Sequence, residues 1–165
     1  VESFIKTARL EQGIIQVHMQ KENLVETILN ALGQIQKKAE DKGIFFQVEL
    51  PEKIICEHDK NWMCEALYNV FDNAVKYSKN NSRINITMKQ TEMFYKIQVR
   101  DYGIGIRDGE ENKIVQRFYR GEQARGQEGC GIGLYLSREI VLLQKGMMKA
   151  KQMKSGLLIE VNLPV

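Results

Sequence analysis

Two asparagines spaced one helical turn apart form the first group of side chains that could bind a ligand. Asn69, Asn73 and Tyr77 are spaced i, i+4 and i+8, and Lys76 lies beside them. In a helix these side chains share one stripe about 12 Å long. Each asparagine costs roughly 0.5 to 0.7 kcal/mol of helix stability relative to alanine, which favours a site. Considered alone, however, the stripe is also typical of the outer side of a half-buried helix.

The second group runs from Asp101 to Ile106, which reads Asp-Tyr-Gly-Ile-Gly-Ile and follows an alternating apolar segment. A carboxylate can accept a hydrogen bond from an exocyclic amine. Gly103 and Gly105 let the backbone turn tightly and approach a planar ring. An ordinary strand-to-loop turn would look the same. The stretch does not open a helix and the chain has no GxxxxGK[ST] pattern, so it is neither a dinucleotide-binding fingerprint nor a P-loop.

The third group runs from Gly129 to Leu134, which reads Gly-Cys-Gly-Ile-Gly-Leu and lies at the predicted start of a helix. Free N–H groups at a helix start, with glycines that allow close approach, form a cradle for an anion such as phosphate. By itself this pattern also fits a flexible, glycine-rich loop that leads into a helix.

Together the three groups fit a single ligand. Asp101 and its glycines suit an adenine ring, whereas Gly131, Gly133 and Lys76 suit phosphates. The neutral amide oxygens of Asn69 and Asn73 suit a Mg²⁺ that bridges phosphates, since this ion keeps waters and needs only one or two protein oxygens. The combination is therefore much more specific than any of its members.

Hydrophobic periodicity assigns these groups to helices, strands and loops. The asparagine stripe lies opposite a run of apolar residues with helical spacing, so its helix has one core-facing side. Asn23 and Asp59 are predicted N-caps, and Gly43 is predicted to end a helix. The predicted helices cover residues 1–12, the segment from Asn23 to Gly43, the segment from Asp59 through Tyr77, and the segment from Leu134 to Gly146. The predicted strands cover residues 14–19, 44–50, 54–56, 83–89, 94–100, 147–152 and 157–163.

Strands and helices do not alternate strictly along the chain, and the strands over 83–89 and 94–100 are predicted to form an antiparallel hairpin. We therefore expect an α+β fold: a two-layer α/β sandwich with a mixed, mostly antiparallel sheet and about three helices on one face. The length of 165 residues, with 43% hydrophobic and 27% charged residues, fits one globular domain.

Composition also limits the class of partner. The net charge of +3 is small and the basic residues are spread along the chain, which argues against nucleic-acid and membrane partners. No apolar run approaches the roughly 20 residues needed to cross a bilayer, so the chain reads as soluble. Cys56, Cys64 and Cys130 form no CxxC pair, which argues against disulfides and zinc. Because Val1 lies inside a helical pattern, we expect a fragment of a longer protein.

In order and spacing, these groups resemble the N, G1, F and G2 boxes of the catalytic ATP-binding domain of sensor histidine kinases. That domain belongs to the Bergerat-fold family shared with DNA gyrase B, HSP90 and MutL. The N box would be Asn69–Ser78, which reads NVFDNAVKYS against a family pattern of NxxxNAxKYS. The G1, F and G2 boxes would be 101–106, 115–120 and 129–134. The resemblance covers residues 14–165, with residues 1–13 similar to the end of a dimerisation helix and its linker.

The resemblance implies a role for each matching position. Asn73 would ligate Mg²⁺ with Asn69 nearby, and Asp101 would accept a hydrogen bond from the adenine amino group. Arg120, in a mobile ATP lid, would reach the γ-phosphate, although a solvated loop arginine explains it equally well. Asn69 and Arg120 are the predicted catalytic residues. The predicted nucleotide contacts are Asn69, Asn73, Lys76, Tyr77, Asp101, Gly103, Gly105, Ile106, Phe118, Arg120, Gly129, Gly131, Ile132, Gly133 and Leu134.

The sequence also departs from the family pattern at several positions. Val115 stands where the F box usually opens with phenylalanine, and Glu128 replaces a common glycine. Cys130 occupies a position often held by threonine or serine. Gln144-Lys145-Gly146 replaces a frequent HGG, and Ser155-Gly156-Leu157 lacks the usual GxGTxF. These departures leave the nucleotide-binding prediction in place and motivate one alternative, a degenerate ATP-binding or scaffold domain that regulates a partner.

The implied function is to bind Mg²⁺-ATP and donate its γ-phosphoryl group to a histidine on a separate dimerisation domain, for relay to the receiver domain of a response regulator. Neither His18 nor His58 resembles the family's acceptor box, so that histidine is expected upstream of Val1. The resemblance further implies a homodimer and a cytoplasmic location, in the cytoplasmic part of a membrane-bound kinase. We expect this segment itself to contact neither membrane nor nucleic acid.

A second enzymatic alternative is an ATP-hydrolysing switch like DNA gyrase B or MutL, in which a glutamate activates water. Glu65 and Asn69 copy the ExxxN spacing of those proteins. However, matching the kinase N box places Asn69 at the position of the general base. Because an amide cannot accept that proton, hydrolysis should be slow.

Overall fold

The computed structural model describes residues 2–106, 109–111, 113–114, 116 and 133–165. Within these residues the chain forms four helices and seven strands. In chain order they are α1 (Glu2–Glu11), β1 (Gln20–Asn23), α2 (Leu24–Asp41), β2 (Phe45–Glu49), β3 (Ile55–His58), α3 (Lys60–Tyr77), β4 (Arg83–Gln90), β5 (Phe94–Arg100), α4 (Gly133–Leu143), β6 (Met147–Gln152) and β7 (Leu157–Pro164).

Five of the strands form one sheet in the order β2-β4-β5-β7-β6. The pair β2–β4 is parallel, and the other three pairs are antiparallel. The inward side chains of the sheet and the apolar faces of α2, α3 and α4 form one hydrophobic core. The prediction of a two-layer sandwich with a mixed, mostly antiparallel sheet and about three helices on one face is therefore confirmed.

Strand alternation explains which side of the sheet is covered. On β4, Ile84 and Ile86 are fully buried under the helices, whereas the alternating residues Asn85 and Thr87 lie on the opposite face and are half-buried. The same period of two places Ile97 and Val99 of β5 in the core. The outer face of the sheet is thus polar and carries no helix among the described residues.

Helix α3 is fixed at its start by the predicted N-cap. The Asp59 side chain accepts hydrogen bonds from the backbone N–H groups of Asn61 and Trp62, each 3.0 Å long. This satisfies two of the donors that a helix start leaves unpaired. The apolar side chains then recur toward the core, where Phe71 has no exposed surface. The predicted cap at Asn23 is also present, since its side chain accepts from the N–H of Val25.

The strand predicted over residues 14–19 is wrong. Half-buried and exposed residues do alternate there, but the backbone N–H of His18 donates to the Asp59 carboxylate at 2.7 Å, so a side chain takes the place of a strand partner. The first strand is β1, which pairs antiparallel with β3 in a separate two-stranded sheet. Alternation alone therefore did not distinguish a strand from an extended surface segment.

Candidate functional site

The asparagine stripe of α3 lies where the sequence placed it, although its first member is deeper than expected. Asn69 is only 8% exposed, whereas Asn73, Lys76 and Tyr77 are half-buried. The start of α4 covers Asn69, because a β-carbon built on Gly133 would lie 4.0 Å from the Asn69 β-carbon. The last glycine of the third predicted group is thus in contact distance of the first asparagine.

Close packing of α4 on α3 sets this contact. The Ser137 hydroxyl group donates to the carbonyl oxygen of Ala66, at 2.8 Å, and also lies 3.1 Å from that of Gly133. A small hydroxyl side chain with no exposed surface lets the two helix backbones approach each other. The N-terminus of α4, with its free N–H groups, is therefore held beside Asn69.

The Asn69 side chain has an unmet hydrogen bond. Its Nδ2 atom is buried and has no hydrogen-bond partner among the described residues. A buried polar atom without a partner costs about 1 to 3 kcal/mol, and Asn85 Oδ1 and Gln144 Nε2 share this state among the described residues. The position of Asn69 beside the start of α4 makes its N–H available to a ligand there. A phosphate oxygen could accept from this N–H, and rotation of the amide would present its oxygen to a cation instead.

The donor set fits Mg²⁺ held mainly by phosphates. Asn69 and Asn73 offer neutral oxygens one helical turn apart. Among the described residues, no group of three or more histidine, cysteine or acidic side chains could hold a metal ion. An ion that keeps waters and binds one or two protein oxygens matches such a sparse set, whereas Zn²⁺ or Ca²⁺ would need more ligands.

Asp101 lies at the end of β5 and is 4% exposed. Its Oδ1 accepts hydrogen bonds from the N–H groups of Gly103 (2.9 Å) and Leu157 (3.3 Å), and its own N–H donates to the Leu157 carbonyl oxygen. Burial raises the pKa of this carboxyl group, while the two N–H groups and the nearby Arg100 oppose the increase. The side chain is a fixed, poorly hydrated acceptor suited to an amino group of a ligand.

The turn after Asp101 packs directly on the end of α3. A β-carbon on Gly103 would overlap the carbonyl oxygen of Tyr77, and the N–H of Ile104 donates to that same oxygen at 3.2 Å. Only glycine allows this approach. Gly105 has a φ angle of +67°, in the left-handed region that also favours glycine. Both glycines of the second group are thus required by the fold itself.

Lys42, which sequence reasoning missed, holds the end of α3. Its ammonium group donates to the carbonyl oxygens of Val75 (2.8 Å), Lys76 (3.0 Å) and Ser78 (2.8 Å). A cation at a helix C-terminus satisfies its free carbonyl groups and complements the helix dipole. Partial burial lowers the pKa of Lys42. Its partners lie more than 30 residues away, so no local pattern identifies this contact.

These contacts place the asparagine stripe, the turn after Asp101 and Gly133, the last glycine of the third group, along one helix. The start of α4 meets Asn69, and the turn after Asp101 meets Tyr77, eight residues or about 12 Å further along α3. Ile106 and Leu134, predicted to contact the nucleotide, are buried in the adjoining core. The remaining predicted positions lie outside the described residues: Phe118, Arg120, Gly129, Gly131 and Ile132.

Several other residues singled out in the sequence have structural surroundings. The Glu65 carboxylate accepts a hydrogen bond from the Lys6 ammonium group at 2.8 Å, which links α3 to α1. His58 has no exposed surface, lies 2.8 Å from the Thr27 hydroxyl group and has a pKa lowered by burial. The described residues that line another surface cavity, of about 600 Å³, are Glu111, Lys151, Gln152 and Met153, and none of these four is a predicted site residue.

Comparison with known proteins gives concordant matches. The family described as "Histidine kinase-, DNA gyrase B-, and HSP90-like ATPase" matches residues 58–165. The chain is 34% identical over 149 residues to the sensor histidine kinase MtrB of Mycolicibacterium paratuberculosis, a match that covers 88% of this chain and 26% of the relative. It is 36% identical over 129 residues to the sensor protein kinase WalK of Staphylococcus aureus, covering 74% of this chain and 31% of the relative. The chain thus spans between a quarter and a third of the length of these relatives.

Solved structures show the same fold. The mycobacterial sensor histidine kinase MprB superposes with a TM-score of 0.79 at 24% identity, covering 89% of this chain and 97% of that chain. The histidine kinase ThkA in complex with the response regulator protein TrrA superposes with a TM-score of 0.80 at 19% identity, covering 98% of this chain and 46% of that chain.

Proposed function

Because this chain belongs to the family of histidine kinase-, DNA gyrase B- and HSP90-like ATPases, we propose that residues 14–165 form the catalytic ATP-binding domain of a sensor histidine kinase. The observation that carries the proposal is the spacing along α3. The turn that follows the buried Asp101 carboxylate meets the helix at Tyr77, and the first residue of α4 meets it at Asn69, about 12 Å away along the helix. This separation suits an adenine ring at one end and phosphates at the other.

At the base end, the Asp101 carboxylate accepts a hydrogen bond from the exocyclic amine of adenine. Both described hydrogen bonds of this carboxylate go to Oδ1, so Oδ2 is the atom that we assign to the ligand. The glycines of the turn let the flat ring approach the backbone. Recognition of an amino group by a buried acceptor discriminates strongly against a ligand that lacks it, because the acceptor would be left unpaired.

At the phosphate end, Asn69 and Asn73 hold Mg²⁺ by their amide oxygens, and Lys76 and the α4 N-terminus bind phosphate oxygens. When bound, Mg²⁺ neutralises phosphate charge during transfer. The contribution of the protein is to orient the phosphates and to stabilise their charge, rather than to form a covalent intermediate. Gly131 and Arg120 complete this part of the proposal, as phosphate-binding and γ-phosphate-binding residues respectively.

In the whole protein, the γ-phosphoryl group is transferred to a histidine of an upstream dimerisation domain and then to the receiver domain of a response regulator. Two things support this: the identity to MtrB and WalK, which are named sensor kinases, and the similar structure of ThkA, which is a complex with a response regulator protein. We assign residues 1–13 to the end of the dimerisation helix and its linker. We place this segment in the cytoplasm, in contact with neither nucleic acid nor membrane. No helix among the described residues is long and apolar enough to cross a bilayer.

The chemistry of the site argues against the ATPase-switch alternative. Glu65 is the residue that would activate water in that mechanism, and it is ion-paired with Lys6. The described side chain that lies within 4 Å of a β-carbon built on Gly133 is that of Asn69, whose amide group cannot accept a proton from water. We therefore expect slow hydrolysis by this segment and phosphoryl transfer only when the acceptor histidine is supplied.

Titration with Mg²⁺-ATP by calorimetry tests the nucleotide site. Asp101→Asn keeps an oxygen for the N–H groups of Gly103 and Leu157 but turns an N–H toward the adenine amine, so the affinity should fall at least about 100-fold. Asp41→Asn, the same chemical change at an exposed position on α2, is the matched control and should bind like the wild type. Undetectable wild-type binding at millimolar ATP would sink the proposal.

Transfer from γ-labelled ATP in the full-length protein tests the kinase assignment. We expect label on histidine that is stable in base, labile in acid, and lost in Asp101→Asn. Nucleotide binding without any transfer would instead favour the degenerate regulatory domain suggested by Val115, Glu128 and Cys130.

A further inference from the structure

Four side chains support Asp101 from the outer face of the sheet, opposite to the helices. Successive side chains of an extended chain point to opposite faces, so Arg100 and Tyr102 both project away from the side that Asp101 occupies. Their contacts agree with this, because the Arg100 guanidinium carbon lies 4.3 Å from the centre of the Tyr102 ring. Neither side chain can touch a nucleotide bound on the helix side.

Arg100 joins the two backbone segments that position the Asp101 carboxylate. Its Nη1 atom donates to the carbonyl oxygen of Asp101 at 2.7 Å and also to that of Ser155, in the β6–β7 connection. The two segments are in close contact, since a β-carbon on Gly156 would overlap the Asp101 carbonyl oxygen. Leu157, the next residue, donates its N–H to the Asp101 side chain. The guanidinium group therefore bridges the carboxylate's own backbone and the segment that orients it.

The guanidinium group is itself held in place. The Tyr102 hydroxyl group accepts a hydrogen bond from Asn85 Nδ2 at 3.0 Å, which fixes the ring. Arg83 contacts the same ring, with its guanidinium carbon 4.8 Å from the centroid. Cations over an aromatic ring are attracted by its quadrupole, and arginine stacks on it with a planar group. The result is a layered support of Asn85, Arg83, Tyr102 and Arg100 behind the base end of the site.

We propose that Arg100 is a positioning residue for base recognition: by bridging Asp101 and Ser155 from the outer face, it aims the Asp101 carboxylate at the amino group of the purine. The inference rests on the proposed function of Asp101. Hydrogen bonds weaken steeply with misalignment, so a small rotation of the carboxylate would reduce recognition of the amino group. Contacts to the sugar and phosphates would be unaffected by it.

The selectivity for the base distinguishes a positioning role of Arg100 from a simple loss of charge or of fold stability. It is measured as the ratio of the dissociation constants for ATP and inosine triphosphate. Inosine triphosphate carries a 6-oxo group in place of the 6-amino group of ATP and is otherwise nearly identical in shape and charge. Loss of a positive charge near the site would weaken both nucleotides equally, and loss of fold stability would reduce the fraction of protein able to bind either. Misplacement of the acceptor changes the ratio of the two dissociation constants. Protonation of Asp101, which the loss of the nearby Arg100 charge favours, would also change it, but only at low pH, so the titrations are repeated at a higher pH.

The experiment is calorimetric titration of this domain with ATP and with inosine triphosphate, both with Mg²⁺. In Arg100→Met the preference for ATP should fall about tenfold while the affinity for inosine triphosphate stays within about twofold of wild type. Arg100→Lys should lie between, because an ammonium group keeps the charge but lacks the planar fork. Lys89→Met is the matched control. Lys89 lies on the same face of the sheet, because its strand partner is Lys96, which precedes Arg100 by four residues on β5. Its substitution removes a positive charge from that face and should leave the ratio unchanged.

An unchanged ratio in a folded Arg100→Met protein would overturn the inference. If that variant does not fold, an unchanged ratio in Arg100→Lys would do so. A double variant with Asp101→Asn sharpens the result, because Arg100→Met should have no further effect on the ratio once the carboxylate is gone. Failure of the proposed function looks different: the wild type would show no preference for ATP, or Asp101→Asn would leave the preference intact.

Discussion

The two ends of the polar stripe on α3 are built in opposite ways. At the base end, the helix carbonyl groups are hydrogen-bonded by Lys42, the Tyr77 carbonyl is bonded by Ile104, and Asp101 accepts two backbone N–H groups. At the phosphate end, Asn69 keeps a buried nitrogen with no partner among the described residues. Among the described residues, the backbone of the base end is therefore hydrogen-bonded without a ligand, whereas the other end keeps a buried donor available to one.

Because of this contrast, substitutions at the two ends should differ in how they affect folding stability and ligand affinity. Side chains of the base end satisfy the backbone, so removing them should destabilise the fold. Removing the Asn69 amide should change the free energy of unfolding of the ligand-free protein little, because a buried polar atom without a described partner is removed with it. The affinity for the ligand should nevertheless fall. Substitutions at the two ends thus test whether the site is preformed at one end and incomplete at the other.

The largest effect is expected for Gly103→Ala at the base end. The added β-carbon would overlap the Tyr77 carbonyl oxygen, so either the turn or the end of α3 must shift. We expect a loss of about 3 kcal/mol in the free energy of unfolding and loss of detectable ATP binding. Urea denaturation and calorimetry measure the two quantities.

Gly33→Ala is the control for that substitution. Gly33 lies within α2 with nothing within 4 Å of an added β-carbon. The change should stabilise the protein by up to about 1 kcal/mol, because alanine is the better helix former. Equal effects of the two substitutions would show that the close contact at Tyr77 does not constrain the site.

Asn69→Ala examines the phosphate end. We expect Mg²⁺-ATP affinity to fall about 10- to 100-fold, while the free energy of unfolding stays within about 1 kcal/mol of wild type. The unpaired nitrogen is removed and alanine favours the helix, which offsets the lost packing. Repeating the titration with EDTA, which removes Mg²⁺, measures the contribution of the metal. The ATP affinities of the variant and the wild type should then differ less than they do with Mg²⁺. A large loss of stability with unchanged affinity would reverse the assignment of the two ends.

Lys42→Met should cost about 1 to 2 kcal/mol of folding stability, because three carbonyl groups at the end of α3 lose a charged donor and only water can replace it. Thermal and urea unfolding measure this loss. Lys37→Met, at an exposed position in α2, the helix that Lys42 directly follows, should change stability by less than about 0.5 kcal/mol. Matching losses in the two variants would mean that the capping contact contributes nothing.

Local sequence patterns predicted most of the helices and strands and the tight turn after Asp101. The caps at Asn23 and Asp59 and the β4–β5 hairpin depend on neighbouring residues, and the glycines after Asp101 reflect a steric need that composition reveals. The contact of Arg100 with Ser155 spans 55 residues and leaves no local signal. The incorrect prediction of a strand over 14–19 also results from a contact between residues far apart in the sequence. The backbone N–H of His18, which would have paired with a neighbouring strand, donates to the Asp59 carboxylate instead.

The smallest expected effect is a pH dependence that belongs to the base end. Burial raises the pKa of Asp101 above its ordinary value of 3.8, so in the ligand-free protein the folded state holds its proton to higher pH than the unfolded state. As pH rises through this interval the unfolded state ionises first, and folding stability falls. Asp101→Asn lacks the titrating group but keeps an oxygen for the N–H groups of Gly103 and Leu157. The variant should therefore gain stability relative to the wild type as the pH rises above about 4, measured as the difference in urea midpoints. A stability difference that does not depend on pH would mean that the hydrogen bonds to Oδ1 fully offset the burial of the Asp101 carboxylate. The buried carboxylate would then not destabilise the ligand-free protein.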